Sequence, residues 1–198
     1  MSSLPKHRWT EAEYLAFERA SHEKHELIDG EIVAMSGASE NHNLIATSTL
    51  SSLFTQLRKG SCKIYPSDMR VRVGKYRQYT YPDMSIVYGK PVFADDQKDT
   101  LLNPTAIIEV LSPSTEGYDR GDKFALYRTL TTLQEYILIS QNRVRIERYV
   151  RQPDNQWLLS EIQQLDDCME LTSVGCTLSA ADVYEQINFE STINDELS

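Results

Sequence analysis

The chain has 198 residues, 40% of them hydrophobic and 25% charged, with a formal net charge of −9 at pH 7. That length sustains one sizeable core and is short for two, and no apolar run approaches the roughly 20 residues that a membrane span needs. The acidic excess counts against a protein that coats nucleic acid non-specifically, because phosphate binding is driven by Lys and Arg.

The N-terminal stretch MSSLPKHRWTEAEYL has no apolar segment like that of a signal peptide, so the expected location is the cytoplasm. Thr10 with Glu13 three residues on is a capping box, which predicts a first helix to about Ala20. Asp29-Gly30 between the β-prone runs HELI and EIVA predicts a hairpin. A second helix is expected from about Asn41 to Arg58, with Ala46, Leu50, Leu53 and Leu57 on one face and Gly60 ending it. CKIY, MRVRV, PDMSIVYG and TAIIEVL read as strands, the last two as central ones. A helix is expected from about Gly117 to Leu130, then the strands EYILIS, RVRIERYV and QWLLSEI, then a short helix AADVYEQI capped by Ser179. This order predicts a mixed central sheet with helices packed on it.

Two basic clusters, Lys63, Arg70, Arg72, Lys75 and Arg77, and Arg143, Arg145, Arg148 and Arg151, read either as local basic strips or as solvated strand faces. Cys62, Cys168 and Cys176 are odd in number and form no C-x-x-C pair, which disfavours a disulfide framework and a structural zinc site. They read as small, partly buried thiols.

Four polar residues stand out. Glu109 interrupts the apolar run Ala106 to Leu111, where a buried carboxylate needs a cation, a hydrogen-bond network or a metal. Asp83 follows Pro82 at the start of a neighbouring central strand, so two carboxylates could hold a hard cation against a phosphate. Lys123 shares the helix face of Leu126, Tyr127 and Leu130, which points it at the sheet and at Glu109. Glu26 lies in the strand before the Asp29-Gly30 turn. Each also has an ordinary reading: a wetted or Arg-paired strand acid, a turn residue, a snorkelling lysine and a surface acid. His42, at the edge of the second helix's apolar face, reads as a core or capping histidine.

The stretches HELIDGEIVAMSGAS with His42 beyond it, YPDMSIV, and IIEVLSPSTEGYDRGDKFALYRTL followed by EYILI resemble the PD-(D/E)XK nuclease superfamily. More closely they resemble its Uma-two branch of restriction-endonuclease-like proteins. The resemblance covers about residues 8 to 187, expected as one domain, with 188–198 a polar tail. It implies an α/β (α+β) fold: a restriction-endonuclease-like core with a mixed central sheet flanked by helices and extra C-terminal strands. Asp83 resembles the Asp of the PD motif, and Glu109 the acid of the (D/E)-x-K element. Leu111 stands where the superfamily lysine would be, and Lys123 matches the branch's migrated lysine on the following helix. Glu26 resembles an early auxiliary ligand, and Ile137 stands where the branch often has Trp.

The resemblance thus implies a Mg²⁺- or Mn²⁺-dependent endonuclease acting on phosphodiesters, DNA foremost. Asp83, Glu109, Lys123 and Glu26 would be the catalytic residues, with Asp83, Glu109 and Glu26 as metal ligands. A homodimer is expected by analogy. Two alternatives stand beside it: a metal-dependent phosphodiesterase on a non-DNA substrate, and a catalytically idle binding or assembly module.

Overall fold

The computed structural model describes residues 7–74 and 77–189. Lys75 of the first basic cluster and residues 190–198 of the expected tail lie outside the described residues. In chain order the elements are α1 (Glu11–Ala20), β1 (His25–Ile28), β2 (Glu31–Ala34), α2 (Glu40–Leu57), β3 (Cys62–Pro66), β4 (Arg70–Val73), β5 (Gln78–Thr80), β6 (Met84–Tyr88), β7 (Thr100–Leu101) and β8 (Ala106–Leu111). There follow α3 (Glu116–Arg120), α4 (Asp122–Tyr127), β9 (Glu135–Ser140), β10 (Ile146–Arg151), β11 (Trp157–Ile162), β12 (Cys168–Leu171), β13 (Cys176–Ser179) and α5 (Ala180–Val183).

Local chemistry sets several of these boundaries. The Thr10 hydroxyl accepts from Glu13 N–H while the Glu13 carboxylate accepts from Thr10 N–H, so α1 begins with both reciprocal bonds of a capping box. Asp29 and Gly30 both take positive φ, 49° and 80°, which fits the tight two-residue turn joining β1 to β2. Ser39 caps α2 by accepting from His42 N–H.

The class is α+β, with mixed sheets flanked by few helices. The strands divide into a six-stranded sheet of order β11-β10-β9-β8-β6-β3, a five-stranded sheet of order β2-β1-β5-β4-β7, and the pair β12-β13. Within the large sheet β8 and β9 are parallel and the other neighbours antiparallel. The sequence predicted one central sheet. The second arises because the β1-β2 hairpin pairs through Leu27 with the three-residue β5, and β4 with the two-residue β7.

All six residues of β8 are buried, because both faces of the sheet are covered. Ile108 and Val110 pack with Ile45, Leu53 and Leu57 of α2 and with Leu178 and Val183 near the C-terminus. Ile107 and Leu111 pack on the opposite side with Val71, Val73 and Leu101 of the five-stranded sheet and with Phe124, Leu126 and Tyr127 of α4. Strand alternation puts Glu109 on the face of Ile107 and Leu111, toward α4.

The helix expected over 117–130 is two short helices. They meet at Gly121 (φ −105°, ψ −101°), where a Cβ would lie 3.0 Å from Gly117 O. The final helix is also shorter than expected, Ala180–Val183. Of the thiols, Cys176 is buried and Cys62 half-buried, but Cys168 is exposed; all three are free.

Most of the described arginines of the two clusters are already partnered. Arg70 is buried and paired with Asp99 at 2.5 Å, and Arg72 and Arg77 both meet Glu11. Arg145 pairs with Glu147 and Glu161, and Arg151 donates to the carbonyls of Leu133, Arg128 and Leu130. Among the described residues no helix is long and apolar enough to cross a membrane.

Candidate active site

A cleft of about 950 Å³ opens between the two sheets, walled by the N-terminal half of α2 and by the segment from Ser112 to Lys123. Asp83, Glu109, Lys123 and Glu26 all line it.

Glu109 lies at its floor, 3% exposed. Its Oε1 is 2.9 Å from Lys123 Nζ and accepts from the Tyr127 hydroxyl at 3.1 Å. Its Oε2 faces the Asp83 N–H at 3.4 Å, leaving that oxygen the less committed of the two. Burial pushes the carboxyl up to about 8, against the pull of Lys123 and with repulsion from Asp119 and Asp83 adding to the rise. Glu109 is thus a weaker acid than an ordinary glutamate, even with Lys123 beside it.

Asp83 comes to Glu109 because β6 and β8 are neighbours with Met84 opposite Ile108. Its Oδ2 accepts from Val110 N–H at 2.7 Å, which locks the carboxylate across the strand end. Its Oδ1 is 3.0 Å from His42 Nε2. Burial works to lower the affinity of His42 for a proton, but the hydrogen bond and charge of Asp83 outweigh it, so His42 titrates above its ordinary value.

Lys123 is 7% exposed, as its helix face predicted. Besides Glu109 it meets Asp119 Oδ1 at 3.3 Å, one turn back across the Gly121 break. Burial works against its charge; the fields of Glu109, Glu26 and Asp119 prevail and hold the ammonium well above its ordinary value. Glu26 adds its field to Lys123 without closing to an ion pair, and its Oε1 accepts from Tyr81 N–H at 3.0 Å.

Three participants were not legible as such. His42 read as a core or capping residue; its half-buried ring instead meets an acid 41 positions away. Asp119 had one available signal, its i,i+4 spacing to Lys123. Tyr127 read as core, and its ring is indeed buried, but its hydroxyl bridges Glu109 and Thr80.

The donor set is all oxygen at Asp83 and Glu109, as a hard divalent cation requires. Among the described residues, no group of three or more His, Cys, Asp or Glu side chains is preassembled around a metal position. Such an arrangement fits Mg²⁺ or Mn²⁺ held by two carboxylates and water, and does not fit a closed all-protein cage.

The pattern of the Uma2 family, described as "Putative restriction endonuclease", matches residues 11–181, a stretch that includes every cleft residue named above. Two Synechocystis proteins are similar along most of their length. The uncharacterized protein slr1290 is 39% identical over 190 residues, 94% of this chain and 97% of that one. The uncharacterized protein sll1609 is 41% identical over 153 residues, 77% of this chain and 86% of that one. A crystal structure from Anabaena variabilis, described as "a putative nuclease belonging to DUF820", superposes with a TM-score of 0.74 at 18% identity. It covers 89% of this chain and 97% of that one, which establishes the shared fold.

Proposed function

Because this chain belongs to the Uma2 family of restriction-endonuclease-like proteins, we propose that its carboxylate-lysine cleft hydrolyses phosphodiester bonds in DNA with Mg²⁺ or Mn²⁺. The observation that carries this reading is the buried Lys123 ammonium, 2.9 Å from Glu109 in a cleft that also holds Asp83. A structural ion pair explains one acid and one lysine. It gives no reason for a second and third carboxylate, Asp83 and Glu26, in the same cavity.

Asp83 and Glu109 would hold the cation, with Glu26 assisting from the far wall. The metal, when bound, supplies charge neutralisation at the phosphoryl oxygen and a water of lowered pKa. Glu109 must give up its proton first, which its position beside Lys123 favours. Lys123 orients the attacking water or offsets charge developing on the phosphoryl oxygens, and it enters the reaction already positioned between Glu109 and Asp119. His42 holds Asp83 by the oxygen that the Val110 N–H does not use. Tyr127 fixes the rotamer of Glu109.

The test is cleavage of a short labelled DNA with Mn²⁺, in chelator, and with Glu109→Gln. Cleavage should require the metal and vanish in the variant. Full activity in Glu109→Gln would mean that the cleft is not its source.

A further inference from the structure

The cleft that carries the proposed chemistry has the wrong charge for a long duplex. Glu23, Glu26, Asp83, Glu109 and Asp119 line it against two cations, Lys24 and Lys123. The formal balance is −3, and one divalent cation brings it only to −1. Both lysines are already engaged: Lys24 meets Asp68 at 2.5 Å, and Lys123 meets Glu109 and Asp119. Arg70, Arg72, Arg77, Arg145 and Arg151, which could have formed a flanking track, are held by acids or carbonyls. A duplex presents phosphates on two strands and is gripped through many of them. Here the described cleft residues can neutralise about two.

What the cleft offers in place of cations is surface for bases. β2 is an edge strand, and Val33 (47% exposed) and Met35 (38% exposed), just beyond it, stand on the cleft rim. Tyr118 of α3 also lines the cleft, one residue from Asp119. It is half-buried; its backbone carbonyl accepts from Gly121 N–H, but among the described residues its side chain has no hydrogen-bond partner and no ring contact. Burial pushes its hydroxyl up to about 12, with the charge of Glu26 adding to the rise, so the ring stays neutral at physiological pH. A neutral, unpartnered aromatic ring next to a phosphate-handling centre is the feature by which single strands are held, since every base has a face to stack and a duplex hides it.

We propose that the cleft takes a single nucleic-acid strand, with a base beside the scissile phosphate packed on Tyr118 and the Val33-Met35 rim. This inference rests on the hydrolase reading for the reaction, and on the cleft alone for the strand. The probes are a labelled deoxyoligonucleotide, the same sequence as a blunt duplex, and methyl p-nitrophenyl phosphate, a diester without a base.

With Mn²⁺, kcat/KM for the single strand should exceed that for the duplex at least tenfold. Its dependence on salt should be no steeper than about −1.4 in log–log slope, from two phosphates at about 0.7 each. Tyr118→Ala should raise KM for the single strand at least fivefold, and Tyr118→Phe should stay within twofold of the natural protein. Equal or faster duplex cleavage, or an unchanged KM in Tyr118→Ala, overturns the proposal.

Binding is read separately, by fluorescence anisotropy of the labelled strand and duplex in Ca²⁺. If no probe, including the small diester, is turned over, the hydrolase reading falls. Anisotropy then decides the strand inference: binding of the single strand that Tyr118→Ala weakens supports it, and equal binding of the duplex overturns it.

Discussion

Glu109→Gln separates two accounts of the cleft without any substrate. Burial raises the Glu109 carboxyl to about 8 in the folded protein, whereas the ordinary value is 4.5. A group whose folded value is raised contributes stability fully below its unfolded value, and that contribution is lost as pH climbs to the folded one. The window here is 4.5 to 8, or 3.5 pH units, and each unit corresponds to about 1.36 kcal/mol. The metal-free natural protein should therefore lose up to about 5 kcal/mol from this group across the window.

Glutamine imitates the protonated acid. Its carbonyl can take the Oε1 place, accepting from Lys123 and Tyr127; its amide then meets the Asp83 N–H donor to donor, a cost that does not vary with pH. It does not titrate, so this part of the slope disappears. Urea unfolding of both proteins in chelator, at half-unit steps from pH 5 to 8, gives the difference, because groups remote from the cleft are common to both. The variant should gain on the natural protein as pH rises, reaching several kcal/mol near pH 8. Parallel curves, or a natural protein that gains on the variant, would falsify the protonated Glu109 and indicate a charged Glu109-Lys123 pair.

Four further outcomes follow from the same geometry. Mn²⁺ at 100 times its Kd should stabilise the natural protein by about 2.7 kcal/mol in thermal unfolding, and Asp83→Asn should lose most of that gain; equal shifts would make Asp83 structural only. Lys123→Ala should lower kcat by an order of magnitude or more while leaving the Kd for Mn²⁺, read by calorimetry, within a few-fold, since an ammonium is no ligand for a hard cation. Arbitrary duplex DNA should bind weakly near physiological salt and more weakly as salt rises, and a tight, salt-insensitive filter-binding signal would contradict the charge argument. Ile108→Ala, at a fully buried position in β8, should cost about 2–5 kcal/mol in denaturant unfolding; a cost below 1 kcal/mol would mean that β8 is not the packed centre of the sheet.

Where the sequence was legible, one local rule governed the outcome. Lys123, Leu126, Tyr127 and Leu130 share a face by helical spacing, and all four are buried. Asp29-Gly30 announced its hairpin because few residue pairs take two positive φ values. Glu109 stood out because a charge in an all-apolar strand demands an explanation.

The missed features depend on partners far apart in the chain. Glu11 absorbs Arg72, and Asp99 absorbs both Arg19 and Arg70, so runs of basic residues gave no warning that their charge would be cancelled. β5 and β7, at three and two residues, are too short for alternation to register. The Gly121 break hid inside a pattern that reads as one continuous amphipathic helix, because the apolar spacing resumes on its far side.

That break also decides how the lysine is held. A helix of six residues is far below the length that sustains itself in water, so α4 has its shape only because something else presses it into place. Phe124, next to Lys123, is stacked on Tyr136 at 4.9 Å and packed against Tyr149 and Trp157 of the two strands that follow. The Lys123 ammonium is thus mounted on a clasp that closes from the C-terminal half of the sequence. A chain ending before residue 146 would carry every acid of the cleft and the lysine itself, yet of the three rings behind Phe124 it would keep Tyr136 and lose Tyr149 and Trp157. Trp157, 5.2 Å from the Phe124 ring, turns this dependence into an intrinsic optical signal for whether the clasp is shut.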